Sequence, residues 1–118
     1  RIGGGLRQAG FLAAAGLIAM NQMSLRLGED HANAKTLAAM LEELDGVAVA
    51  KDQLDINMVF LTLNGLAAPE RFVGALKEQG ILINGADHGV YRLVTHWGIE
   101  TADLPRIAAA IDRCRKEL

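Results

Sequence analysis

The sequence predicts an α+β fold, in which a small antiparallel or mixed sheet carries helices on one face, in the order α-α-β-β-α-β-β-α. Two Ala- and Leu-rich segments with helical periodicity come first. Short apolar runs bounded by glycine, asparagine and aspartate follow, and their short connections favour antiparallel pairing. With 118 residues, 51% of them hydrophobic, the chain has material for one small domain with a buried core.

The first predicted helix runs from Leu6 to Met23 and is apolar nearly all round. This composition is typical of a helix that is buried on most sides. Small residues from Ala13 to Gly16 allow another helix or subunit to approach closely. Because the rest of the chain is too short to cover this helix, we expect the chain alone to expose an apolar patch and self-associate.

A second helix is predicted from about Leu25 to Leu44. Its apolar residues recur at helical spacing and form one stripe, made of Ala34, Leu37, Leu41 and Leu44. Asp45-Gly46 should end the helix, because glycine readily takes the left-handed conformation after the last turn.

Two strands and a helix follow. The apolar runs Val47–Ala50 and Ile56–Leu63 predict strands, and Asn64-Gly65 closes the second. Pro69 is suited to the first position of a third helix, which runs to about Gln79, and Gly80 is its stop.

The last part of the chain predicts two more strands and a helix. Ile81–Ile83 and Val90–His96 read as strands, separated by the polar turn Gly85–Gly89. Thr101 is the expected cap of the final helix. One face of that helix is apolar, with Leu104, Ile107, Ala108, Ile111 and Cys114.

Charge and cysteine content exclude several classes of protein. Twelve basic against fourteen acidic residues give a net charge of -2, so we expect no electrostatic binding of nucleic acid and no anchoring to anionic membranes. The apolar stretch Phe11–Met20 is too short to span a bilayer. The single cysteine, Cys114, excludes a disulfide framework within the chain and fits a reducing, cytoplasmic compartment.

The first residues indicate an internal starting point. The chain opens Arg1-Ile2-Gly3-Gly4-Gly5 without an initiator methionine, so we expect residue 1 to lie inside a longer polypeptide. The run from Gly3 to Gln8 enters the first helix, where exposed N–H groups, the helix dipole and Arg7 together suit a phosphate. A flexible connector with a solvated Arg7 is the alternative, and the residues by themselves leave both open.

Arg92 is the second candidate binding residue. Strand alternation places it on one face with Val90, Val94 and His96. A buried arginine between valines needs a carboxylate or phosphate partner, and its planar fork suits a carboxylate. The alternative is an arginine on an edge strand that reaches solvent along its aliphatic stem.

The remaining polar residues predict no catalytic group. His31, His88 and His96 have no metal-ligand spacing, so no metal site is expected. The four lysines stand in polar helical or loop settings, unlike a desolvated Schiff-base lysine; they are Lys35, Lys51, Lys77 and Lys116. The residues alone therefore offer two anion-binding arginines and no catalyst.

Several motifs in order resemble the low-specificity L-threonine aldolases. The glycine-rich start and the small residues after it, Gly3–Gly10 and Ala13–Gly16, resemble that family's GGGMRQAG and AAAG segment. Four further motifs agree in order: Leu27–Ala34, Asn57–Phe60, Ile83-Asn84 and Arg92–His96. The resemblance covers the whole chain.

The resemblance implies the C-terminal domain of a pyridoxal-phosphate enzyme of the aspartate-aminotransferase fold, fold type I. Residues 1–23 would form the glycine-rich loop and inter-domain helix, and residues 24–118 the small α+β domain. The large cofactor-binding domain, with the Schiff-base lysine, would lie upstream. Such enzymes cleave L-threonine or L-allo-threonine to glycine and acetaldehyde and are usually homotetramers.

The resemblance also implies two residue roles. Arg92 aligns with the arginine that binds the substrate α-carboxylate, and Arg7 with an arginine near the cofactor phosphate. No catalytic residue falls within this chain, so we expect the isolated fragment to be inactive and to bind no pyridoxal phosphate. Two other interpretations stay open: a related β-eliminating lyase, and a non-catalytic α+β domain that binds a small molecule.

Overall fold

A continuous helical run opens the computed structural model, which describes residues 5–118. Helix α1 (Gly10–Ile18) passes into a π-helical turn, Ala19–Met23, then a 3-10 turn, Ser24–Arg26, and helix α2 (Leu27–Glu42). The run begins later than the predicted Leu6, because Gln8 has a left-handed φ of 53°. Gly3 and Gly4 of the predicted anion-binding loop lie outside the described residues.

Helix α1 stands away from the rest of the chain. No residue from 5 to 29 is buried, and Phe11 is 84% exposed. The radius of gyration is 17.4 Å, against about 13.5 Å for a compact domain of this length. The burial expected from the composition of this helix is therefore not met, because nothing among residues 5–118 covers the helix. The expected exposed apolar patch is confirmed.

The other elements form a three-stranded antiparallel sheet with helices. They are β1 (Val47–Val49), β2 (Met58–Leu63), α3 (Pro69–Glu78), β3 (Val90–Val94) and α4 (Leu104–Glu117). The strand order is β1-β2-β3, and the register places Leu61 opposite Tyr91 and Phe60 opposite Arg92. The predicted α+β class with an antiparallel sheet is confirmed.

One face of this sheet meets the helices. Strand alternation turns Val59, Leu61, Tyr91 and Leu93 inward, and all four are at least 94% buried. Helices α2, α3 and α4 cover them with a contiguous apolar core that includes Ala34, Leu37, Leu41, Phe72, Leu76, Leu104, Ile111 and Cys114. The predicted apolar stripes of α2 and α4 are confirmed, as is the packing of helices on one face.

The predicted strand Ile81–Ile83 is wrong. The Ile81 N–H donates to the carbonyl of Leu76 at 3.0 Å, which holds this residue to the end of α3 instead of to a neighbouring strand. In the segment that follows, Asp87 pairs with Val90 through two backbone hydrogen bonds of 2.9 Å. The order is therefore α-α-β-β-α-β-α, and β3 lies at an edge of the sheet.

Glycine residues correctly predicted the ends of several helices and strands. Gly46, Gly65 and Gly80 have φ of 74°, 76° and 76°, which confirms the predicted stops. The predicted cap at Thr101 is wrong, because Asp103 is the N-cap of α4 and Thr101 begins the 3-10 turn Thr101–Asp103 before it. Glu100 caps that turn, and its N–H donates to Asp103 Oδ2 at 3.0 Å. Within residues 5–118, no helix has the length and apolar character needed to cross a bilayer.

Candidate functional site

A cavity of about 570 Å³ runs along the free edge of β3. Its walls are β3, the segment from Gly80 to Asn84, the loop after β3 and the start of α4. The polar lining comprises Asn84, Arg92, Thr95, His96, Asp103 and Arg106. The missing fourth strand therefore leaves a polar cleft where the sequence predicted a continuous sheet.

Arg92 lines this cavity from the exposed face of β3. Its neighbours Tyr91 and Leu93 are 4% and 6% exposed and point into the core, so Arg92 must point the other way. Arg92 is exposed, so of the two environments that the sequence left open for it, the structure shows the edge-strand arginine. No carboxylate among residues 5–118 lies within ion-pair distance of Arg92, so its fork is available to an anion in the cavity.

The surface around Arg92 is largely apolar. Phe60 lies directly opposite it on β2, and Met58 lies opposite Val94. Both β2 residues are half-buried, and Val94 is 40% exposed. Neither Phe60 nor Met58 lines the cavity, whereas Val94 lines it beside Arg92, and an apolar neighbour that excludes water strengthens a charge-assisted hydrogen bond.

His96 belongs to the same wall; the sequence placed it on the strand face of Arg92 but assigned it no role. Its Nδ1 lies 2.6 Å from the carbonyl oxygen of Trp97. A carbonyl oxygen only accepts, so this hydrogen bond requires a proton on Nδ1. His96 is exposed and shares the alternating face of Arg92, and that shared face is the signal that could have identified it.

Asn84 and Arg106 are two further polar side chains of the lining to which the sequence assigned no role, and Thr95 and Asp103 are the others. Asn84 is exposed at the end of the segment that was predicted as a strand. Arg106 Nη1 donates to the carbonyl of Gln79 at 3.1 Å, which ties α4 to the end of α3. A sequence signal existed for Asn84, in the Ile83-Asn84 motif, but none existed for Arg106.

Arg7 lies elsewhere. It is exposed in the turn before α1 and does not line the cavity. Within residues 5–118, the structure therefore does not bring the two candidate arginines together.

The residues present could bind the phosphate group of pyridoxal phosphate and the carboxylate of its amino-acid substrate. Arg92 fits the carboxylate of an amino acid, and an exposed Arg7 fits a phosphate. All four lysines are exposed and none lines the cavity, so the described residues do not fit covalent attachment of the cofactor.

The other two histidines and the cysteine do not line the cavity. His31 is half-buried on α2, and His88 is exposed in the turn before β3 with a φ of 47°. Cys114 is 1% exposed, and burial raises the pKa of its thiol. Gln79 Nε2 donates to its sulfur at 3.0 Å, so the cysteine is a packed core residue.

Comparisons with known proteins agree with the resemblance. The sequence model of a family described as beta-eliminating lyase matches residues 1–64. The low-specificity L-threonine aldolase of Escherichia coli K12 is 39% identical over 110 residues, and low-specificity L-threonine aldolase 1 of Arabidopsis thaliana is 34% identical over 105. An aldolase of Penicillium aethiopicum, vrtJ, is 34% identical over 109 residues.

These matches cover most of this chain but little of the relatives. They span 91%, 87% and 90% of the chain, against 30%, 29% and 26% of the respective relative. The chain therefore corresponds to less than a third of each of these proteins.

Proposed function

The chain belongs to the beta-eliminating lyase family, and from this premise we propose that it is the C-terminal part of a pyridoxal-phosphate-dependent threonine aldolase. The full-length protein would cleave L-threonine or L-allo-threonine to glycine and acetaldehyde. Residues 1–23 would form its glycine-rich loop and inter-domain helix, and residues 24–118 its small domain. The names of the relatives, two of them low-specificity L-threonine aldolases, support this choice of reaction.

The observation that carries the proposal is the position of Arg92. It is an arginine without an ion-pair partner among residues 5–118, on the wall of a cleft of about 570 Å³. A guanidinium binds a carboxylate through two parallel hydrogen bonds. We assign Arg92 to the α-carboxylate of the amino-acid substrate.

Binding at Arg92 contributes orientation. Holding the carboxylate fixes how the other substituents of Cα are presented, which favours cleavage of the Cα–Cβ bond. Pyridoxal phosphate, when bound, supplies the electron sink for this cleavage. In this assignment Arg7 contacts the cofactor phosphate. Arg7 lies in the turn before α1, away from the Arg92 cleft of the same chain.

The proposal also covers the oligomeric state and the cellular compartment of the enzyme. The exposed apolar helix α1 fits a contact with the large domain or a second subunit, so we propose a homo-oligomer. The single, buried Cys114 fits the reducing environment of the cytoplasm.

A second candidate reaction is β-elimination, because the matching family is described as beta-eliminating lyase. The two reactions differ in their products. Cleavage of the Cα–Cβ bond of threonine gives glycine and acetaldehyde, whereas loss of the β-hydroxyl gives a 2-oxo acid and ammonia.

A product assay tests the proposed function. Full-length protein loaded with pyridoxal phosphate and supplied with L-threonine should release glycine and acetaldehyde in equal amounts. The 118-residue chain in the same assay should release neither, and it should lack the visible absorbance of a lysine-linked cofactor, because its lysines are all exposed. Release of a 2-oxo acid and ammonia without glycine would support β-elimination, and cleavage by the short chain would contradict the assignment of the chemistry to the upstream part.

A further inference from the structure

We propose that Thr95 is a positioning residue of the cleft, which acts with Asn33 to hold the wall that carries Arg92 and His96 against helix α2. This inference rests on the proposed function, because it concerns how the carboxylate-binding arginine is held.

The side chain of Thr95 links the end of β3 to α2. Thr95 follows β3 directly and is 1% exposed. Its hydroxyl donates to the carbonyl of Asp30 at 2.7 Å, in the first turn of α2, and the carbonyl of Asn57 lies 3.3 Å away. A buried hydroxyl without a partner is unfavourable, so this bond fixes where the chain passes α2.

The main chain of Thr95 is held as well. Its N–H donates to the carbonyl of Asn57 at 2.9 Å, and the Asn57 side-chain Nδ2 donates back to the Thr95 carbonyl at 2.7 Å. The end of β3 is therefore bonded both to the start of β2 and to α2.

Asn33 holds the far end of the same wall. It lies three residues after Asp30 on α2 and is 7% exposed. Its Nδ2 donates to the carbonyl of Ile99 at 3.1 Å, and its Oδ1 accepts from the Thr101 hydroxyl at 2.8 Å. The loop that begins with His96 is thus attached to α2 on both sides.

These attachments matter because β3 lies at the sheet edge. It pairs with β2 on one side, and the cleft occupies the other side, where a strand was predicted. Edge segments open locally at low free-energy cost, so the end of β3 needs other contacts to stay in place. Thr95 and Asn33 supply contacts that a neighbouring strand would otherwise provide, and they do so close to Arg92.

Loss of the Thr95 hydroxyl should therefore affect binding more than chemistry. A displaced Arg92 that still pairs with the bound carboxylate keeps its orienting role but binds less tightly in the ground state and the transition state alike, which raises KM and leaves kcat little changed. In the full-length holoenzyme with L-threonine, Thr95→Val should raise KM about three- to tenfold and change kcat by less than about twofold. Thr95→Ser should restore the KM, and cofactor affinity should stay constant.

Thr36→Val is the matched control. The Thr36 hydroxyl also donates to a carbonyl of α2, that of Ala32, at 2.9 Å, but Thr36 does not line the cleft. Its KM should equal that of the unaltered enzyme. An unchanged KM in Thr95→Val, or the same increase in Thr36→Val, would overturn the proposal.

Two further measurements keep the outcome decisive. If Thr95→Val does not fold, Thr101→Val removes an exposed hydroxyl from the Asn33 end and should raise KM about two- to fivefold; no increase would overturn the proposal.

If the unaltered protein does not cleave threonine, the proposed function has failed, but hydrogen exchange still tests the attachment. The backbone amides of residues 96–100 should then exchange faster in Thr95→Val than in Thr36→Val, and equal rates would refute it.

Discussion

Phe72 and Tyr91 pack edge to face in the core, with ring centroids 5.1 Å apart and planes at 62°. Phe72 belongs to α3 and Tyr91 to β3, so this contact joins a helix to the strand that carries Arg92. Because alternate residues of a strand point to opposite faces, anchoring Tyr91 inward turns Arg92 outward, away from the core. The orientation of the candidate binding residue is therefore set by its buried neighbour.

The first prediction concerns this contact. Phe72 is 1% exposed, so Phe72→Ala should lower the free energy of unfolding by about 3 to 5 kcal/mol, measured by urea unfolding. Leu82→Ala is the control, since Leu82 is 78% exposed and lies outside helix α1, and its loss should change the free energy by less than about 0.5 kcal/mol. Equal effects of the two substitutions would show that the core has been assigned to the wrong residues.

The second prediction concerns helix α1. The 118-residue chain should self-associate through its exposed apolar side chains, among which Leu12 is 68% exposed and Met20 75%. Phe11→Glu combined with Leu12→Glu should shift the chain toward monomer in sedimentation velocity, because charged side chains oppose burial of this surface. Gln22→Glu, on an exposed position of the adjoining π-helical turn, should leave the association unchanged. A chain that stays monomeric at high concentration would contradict this role of the helix.

The third prediction concerns Cys114. Burial raises the pKa of its thiol above the ordinary value of 9.0, so the neutral thiol is favoured in the folded state. Its contribution to stability is fully present below the unfolded pKa and is lost as the pH rises through the higher folded pKa. A thiol reagent at pH 8 should therefore modify Cys114 slowly in the folded chain and rapidly in urea. Equally fast labelling in both conditions would contradict the burial.

Much of the fold follows from short-range signals. The glycine stops at Gly46, Gly65 and Gly80 were predictable because only a few neighbouring residues decide a left-handed turn. The apolar stripe of α2 was predictable because a helix repeats its contacts every three to four residues. The apolar run Ile81–Ile83 carried the same local signal as a true strand, but pairing depends on a partner distant in sequence, and its first residue bonds to the end of α3 instead.

The candidate site was predictable only where short-range sequence signals determine it. Alternation placed Arg92 and His96 on one face, and the structure places both on one wall of the cleft. Whether that face is covered depends on parts of the fold far along the chain, so the sequence left open whether Arg92 is buried or reaches solvent. Arg106 comes from a different helix and Asn84 from the other wall, and their convergence is a property of the tertiary structure.

The measurement that tests the central claim most directly is the kinetics of Arg92→Lys in the full-length enzyme. Lysine keeps the charge but lacks the planar pair of donors, so kcat/KM for L-threonine should fall at least about tenfold while affinity for pyridoxal phosphate stays the same. Arg7→Ala should do the reverse, and weaken cofactor binding more than substrate binding. If Arg92→Lys leaves threonine cleavage unchanged and cofactor affinity collapses, Arg92 does not bind the substrate carboxylate.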